Sequence, residues 1–92
     1  MTHLEKSIIH AFQFLLLKQR NSKNMTQYEF SKKCGFSRQY LSLVESGKRI
    51  PTLDFAFNVA EEFGMSVEGF IQMLIEKVSY YEELEQQRCK RL

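Results

Sequence analysis

Only Gly35 and Phe36 separate Cys34 from Ser37, and this short gap constrains the fold more than any other feature of the chain. Upstream, Thr26-Gln27-Tyr28-Glu29 has the form of a capping box, in which Thr26 caps the first amides of a helix and Glu29 reaches back to the backbone of Thr26. Met25 and Phe30 are placed to form the accompanying hydrophobic staple. Gly35 marks the end of that helix, because it accepts the left-handed conformation that follows many helices. Ser37 is the cap of the next one, which is expected to run to residue 46 and stop at Gly47. Two helices, over 26–34 and 37–46, therefore cross steeply through a turn too short for any other arrangement.

The same punctuation extends in both directions and predicts five helices. The first covers about residues 2–21, with Leu4, Ile8, Phe12, Leu15, Leu16 and Gln19 on one face. Phe14 and Leu17 fall outside that stripe, so the C-terminal helix or a partner subunit is expected to cover them. After Gly47, Lys48-Arg49-Ile50-Pro51 forms a basic loop, and Pro51 keeps Ile50 extended ahead of a cap at Thr52. A fourth helix over 53–63 turns Phe55, Ala56, Val59, Ala60 and Phe63 inward and ends at Gly64. Ser66 caps a fifth, whose pattern of Val67, Phe70, Ile71, Leu74, Val78 and Tyr81 continues past what a five-helix core needs. With 92 residues, four Gly and one Pro, the chain suits one helical domain over 1–76, with 77–92 as an extension of the fifth helix.

The net charge of +2 conceals a division along the chain. Residues 18–49 carry eight basic side chains against two acidic ones, a net of +6, whereas from residue 50 onward eight acidic residues outnumber four basic ones. One segment is built to face a polyanion. In a helix starting at Ser37, Leu41 and Val44 share the core face with Phe36 beneath them, which leaves Arg38, Gln39, Ser42 and Leu43 outside. Arg matches the paired acceptors of guanine, Gln the acceptor and donor of adenine, Ser is permissive, and Leu can meet a thymine methyl. Gln27, Ser37, Tyr40, Lys48 and Arg49 flank that helix and are the candidate phosphate contacts, which fix register without reading sequence.

Arg20, Met25-Thr26-Gln27, Phe30, Gly35-Phe36-Ser37, Tyr40-Leu41-Ser42, Val44-Glu45, Gly47-Lys48, Pro51, Ala60, Gly64 and Ser66 stand in an order that resembles the phage Cro and repressor (XRE) family of helix-turn-helix regulators. The likeness spans Arg20 to about Leu74, with Asn24 where the family commonly has Gly. It implies an all-α, five-helix lambda-repressor-like DNA-binding domain with an extended C-terminal helix. It also implies that Arg20 and Glu45 pair to tie the first helix to the end of the third, and that duplex DNA is bound at a pseudo-palindromic operator by a two-fold dimer. Phe70, Leu74, Val78, Tyr81 and Leu84 form the stripe expected to dimerise, with packing against the first helix as the alternative. Stand-alone phage or plasmid regulators, restriction-modification controller proteins and self-repressing antitoxins are all compatible with so short a chain. A protein-interaction adaptor is the reading from another class, and the basic segment around Arg38 argues against it.

No enzymatic constellation is visible. His3 and His10 lack a nucleophile or carboxylate grouping, no Gly-rich phosphate loop is present, and Cys34 and Cys89 lack zinc-site spacing, so free thiols, surface histidines and no metal, cofactor or small-molecule effector are expected. The N-terminus has no signal-peptide progression, and no apolar run approaches the roughly 18 residues of a membrane span. A cytoplasmic bacterial protein, nucleoid-associated when bound to DNA, is the expectation.

Overall fold

Hydroxyl side chains open four of the helices. Thr2 accepts the Glu5 amide at 3.1 Å, Ser37 that of Tyr40 at 3.1 Å and Ser66 that of Gly69 at 3.0 Å, while Thr26 and Glu29 complete a reciprocal capping box. The computed structural model describes residues 2–90, with side chains described to residue 88. In it, α1 (His3–Ser22), α2 (Gln27–Cys34), α3 (Arg38–Glu45), α4 (Leu53–Glu62) and α5 (Val67–Lys90) follow one another, with no strand among the described residues. The expected cap at Thr52 is a correction. Its hydroxyl bonds the Asp54 carboxylate, which also accepts the Phe55 amide at 3.0 Å, because a carboxylate outcompetes a hydroxyl as acceptor.

The core draws on every helix: Phe12, Leu15 and Leu16 from α1, Phe30 and Cys34 from α2, Leu41 and Val44 from α3, Phe55, Ala56, Val59 and Ala60 from α4, and Phe70 from α5. Edge-to-face contacts join Phe70 to Phe63 at 5.5 Å and to Phe12 at 6.1 Å. Cys34 is a buried free thiol whose pKa is pushed up to about 12, first by burial and then by the nearby Glu62 charge, so it is inert at neutral pH. The side chain of Cys89 lies outside the described ones.

Two sequence expectations about α1 and α5 change. Leu4 is 55% exposed, whereas Ile9, off the expected stripe, is buried. The reason is that α1 is covered on two sides. Phe12, Leu15 and Leu16 face the domain, while Ser7 and Ala11, both buried and one helical turn apart, share a face with His10 and Phe14, which touch α5. The overshooting part of α5 folds back along this face. His3 Nδ1 lies 2.9 Å from a Glu82 carboxylate oxygen, the His10 and Tyr81 rings are 5.5 Å apart, and Lys77 Nζ stands 3.9 Å above the Phe14 ring.

The stripe expected to dimerise is divided by this packing. Phe70 is fully buried within its own chain, a correction forced by its place in the core. Leu74 packs partly against that core, and Val78 and Tyr81 are half-buried. Leu84 remains exposed, together with Ile75 and Tyr80, which the expected stripe had omitted. Among the described residues no helix is long and apolar enough to cross a membrane, and no group of three or more His, Cys, Asp or Glu side chains is placed to hold a metal ion.

Candidate nucleic-acid interface

Gly35 takes φ +74°, a left-handed value that a side-chain-bearing residue adopts only at a cost, and a Cβ there would meet nothing closer than Asn58 Nδ2 at 3.7 Å. Backbone conformation therefore explains this glycine. Asn58 donates to the Cys34 carbonyl at 2.9 Å, and the Phe36 amide donates to the Ser31 carbonyl at 3.1 Å, so the turn between α2 and α3 is closed by hydrogen bonds. Asn24, ahead of α2, also takes a left-handed φ, +53°.

Within α3, Leu41, Val44 and Glu45 face inward and are buried. Arg38, Gln39 and Ser42 are exposed, Leu43 is 38% exposed, and the four line one shallow outward concavity. The helix stops in a Schellman arrangement, with the Gly47 amide on the Val44 carbonyl at 3.1 Å and the Lys48 amide on the Leu43 carbonyl at 2.9 Å. Lys48 and Arg49 leave this pinned turn exposed, and Ser37 is exposed at the opposite end of α3.

Tyr40 and Gln27 are placed differently from the other candidates. The Tyr40 hydroxyl accepts the Thr52 amide at 2.9 Å, and its ring stacks on Phe36 at 5.1 Å and meets Phe55 edge-on at 5.2 Å. The Arg49 guanidinium lies 5.1 Å over the same ring, so Tyr40 is a pillar beneath the basic loop. Gln27, at the start of α2, donates from Nε2 to Glu45 Oε1 at 2.9 Å, which occupies one of its two N–H donors inside the protein.

Arg20 and Glu45 meet through two parallel bonds, Nε to Oε2 and Nη2 to Oε1, each 3.0 Å, and Nη1 donates to the Met25 carbonyl at 3.1 Å. With side chains 18% and 4% exposed, this fork ties α1, the entry to α2 and the end of α3 into one joint. A further contact went unread in the sequence. Gln13 Nε2 donates to the Glu45 carbonyl at 2.9 Å, and its Oε1 lies 3.1 Å from His10 Nδ1. The available signal was spacing: Gln13 stands seven residues before Arg20, on the same face of α1, and both reach Glu45.

Comparison with known proteins agrees with this geometry. The profile of the Helix-turn-helix family matches residues 16–70. An uncharacterized HTH-type transcriptional regulator of Methanocaldococcus jannaschii is 44% identical over 45 residues, covering 49% of this chain and 68% of that protein. Another from Sinorhizobium fredii is 43% identical over 47 residues, covering 51% of this chain and 61% of that protein. Among solved structures, the clp gene regulator ClgR from Corynebacterium glutamicum has the same fold, with a TM-score of 0.65 at 22% identity across 96% of this chain and 87% of the other. A family match over more than half the chain, laid on two capped helices joined through Gly35 and Phe36, means that this chain belongs to the helix-turn-helix family as an XRE-type, DNA-binding transcriptional regulator.

Proposed function

We propose that this regulator binds a pseudo-palindromic operator as a homodimer, with α3 of each copy in a major groove, and represses by occupying the site. The observation that carries this reading is the outward row of Arg38, Gln39, Ser42 and Leu43, flanked by Ser37 at one end and by Lys48 and Arg49 at the other. The row supplies the side chains that distinguish base-pair edges, and the flanks supply donors for phosphate. Gln27 holds Glu45 with one N–H and keeps the other for a phosphate, and Tyr40 holds the loop bearing Arg49.

Dimer formation falls to α5, where Tyr80 and Leu84, one helical turn apart, are 52% and 44% exposed. Residues 1–76 form the DNA-binding domain, and the helix beyond them combines intramolecular packing as far as Glu82 with an association surface. Sedimentation equilibrium tests this, with a mass near twice 10.9 kDa expected and a return to one chain when Tyr80 and Leu84 are both replaced by Glu. Regulation by occupancy needs neither catalysis nor a cofactor, and it places the protein in the cytoplasm at the nucleoid.

Mobility shifts with genomic fragments across a salt series test the DNA reading. Fragment preference and a steep fall of affinity with salt are expected, and the absence of selective retention would favour a protein adaptor instead. In the same assay Arg49→Ala should weaken binding to every fragment and lower the salt slope by about one, since it removes a phosphate partner. Gln39→Ala should instead lose about 1–3 kcal/mol of discrimination at a single base-pair position. If both variants weaken all fragments equally, the division between reading and positioning is wrong.

A further inference from the structure

The last turn of a helix leaves its final carbonyls without intrahelical partners, and in α3 each of these carbonyls can be accounted for. The Ser42 carbonyl accepts the Ser46 amide at 2.9 Å, that of Leu43 accepts Lys48, and that of Val44 accepts Gly47. The Glu45 carbonyl remains, and its partner comes from α1, the Gln13 amide nitrogen at 2.9 Å. Position 47 sits close against this contact: a Cβ built on Gly47 would lie 3.0–3.1 Å from the Gln13 amide atoms, which would have to give way by a few tenths of an ångström. Gly47 thus serves both its φ of +78° and the close approach of Gln13.

The orientation of the amide is fixed from its other side. With Nε2 given to Glu45, Oε1 must accept, so His10 carries its proton on Nδ1 and donates across 3.1 Å. The His10 ring is in turn packed against Tyr81 of α5. A continuous series of contacts therefore runs from the overshooting part of α5, through His10 and Gln13, to the point where α3 gives way to the Lys48–Arg49 loop.

We propose that Gln13 is a positioning residue for DNA recognition, holding the C-terminal end of α3 and the basic loop at the angle from which bases are read, with His10 and Tyr81 supporting it. The proposal rests on the reading of α3 as the recognition helix. It differs from the Arg20–Glu45 fork in kind: the fork anchors the Glu45 side chain, whereas Gln13 anchors the backbone of the following turn. Loss of Gln13 should leave nonspecific phosphate attraction in place and damage only what depends on orientation.

Gln13→Met keeps the volume beneath Gly47 and removes both hydrogen bonds, and His10→Phe keeps the ring against Tyr81 while releasing the amide. Amide NMR spectra of the free variants and binding to a preferred fragment against random duplex are the two measurements. Gln13→Met is expected to shift the amide resonances of Ser46, Gly47 and Lys48 and to lower the preferred-to-random affinity ratio about tenfold, with affinity for random duplex within about twofold of wild type. His10→Phe should move the same resonances by less. Unchanged resonances at 46–48, or an equal loss on both DNAs, would overturn the proposal. If the wild-type protein itself shows no fragment preference, the recognition reading falls and the proposal's role in recognition falls with it. The amide shifts, measured without DNA, keep that failure distinguishable from a failure of the Gln13 contact.

Discussion

Glu45→Ala is expected to destabilise the protein by about 3 kcal/mol or more, lowering the thermal midpoint by roughly 15 °C in a domain of this size. The cost comes from what is left behind. Arg20, 18% exposed, loses the acceptor of two charge-assisted bonds and keeps only the Met25 carbonyl, and Gln27 Nε2 loses its acceptor in the same step. Few waters can reach that guanidinium, so its desolvation is no longer offset. Replacing both members by apolar residues, Arg20→Met with Glu45→Leu, should recover most of the loss, because no buried charge is then unpaired. Thermal melts followed by circular dichroism measure both variants. A Glu45→Ala midpoint within about 3 °C of wild type would mean that the fork is solvated and contributes as little as an exposed pair.

The second large effect is expected at Phe55, which is fully buried and meets Phe36 edge-on at 5.0 Å and Tyr40 at 5.2 Å. Phe55→Ala should cost about 3–5 kcal/mol, combining lost transfer energy with a cavity that three helices cannot collapse around. Its consequence for DNA follows from position. Without Phe55 the Tyr40 ring loses its support from below, and the loop carrying Arg49 loses its pillar. Two residues further along α4, Phe57 is 47% exposed, and Phe57→Ala should change stability by no more than about 0.5 kcal/mol. Urea denaturation of the two variants gives the comparison, and similar midpoints for both would contradict the assignment of Phe55 to the core.

The features readable from sequence were those settled within a few residues. The capping box at Thr26 and Glu29, the caps at Ser37 and Ser66 and the left-handed stops at Gly35 and Gly47 depend on backbone groups three or four positions away. The inward and outward faces of α3 follow from an eight-residue helix with a single covered side. Where an element has two covered sides, periodicity fails. α1 packs on the domain and on α5 at once, so its pattern could not say that Leu4 is exposed and Ile9 buried, nor that Phe70 belongs to the core of its own chain. Gln27 and Tyr40 show the same limit among the site residues. Their side chains suit phosphate contact, and only the long-range bonds to Glu45 and Thr52 show that one Gln27 N–H and the Tyr40 hydroxyl also make contacts within the fold.

The strict separation of duties within α3 has a consequence for how such a protein changes over time. Leu41, Val44 and Glu45 hold the helix in place, while Arg38, Gln39, Ser42 and Leu43 make none of the core contacts that hold it. Substitutions at those four positions are nearly free of cost to the scaffold. Duplicated copies of this gene can therefore drift at the outward face and acquire new addresses one residue at a time, without passing through an unfolded ancestor.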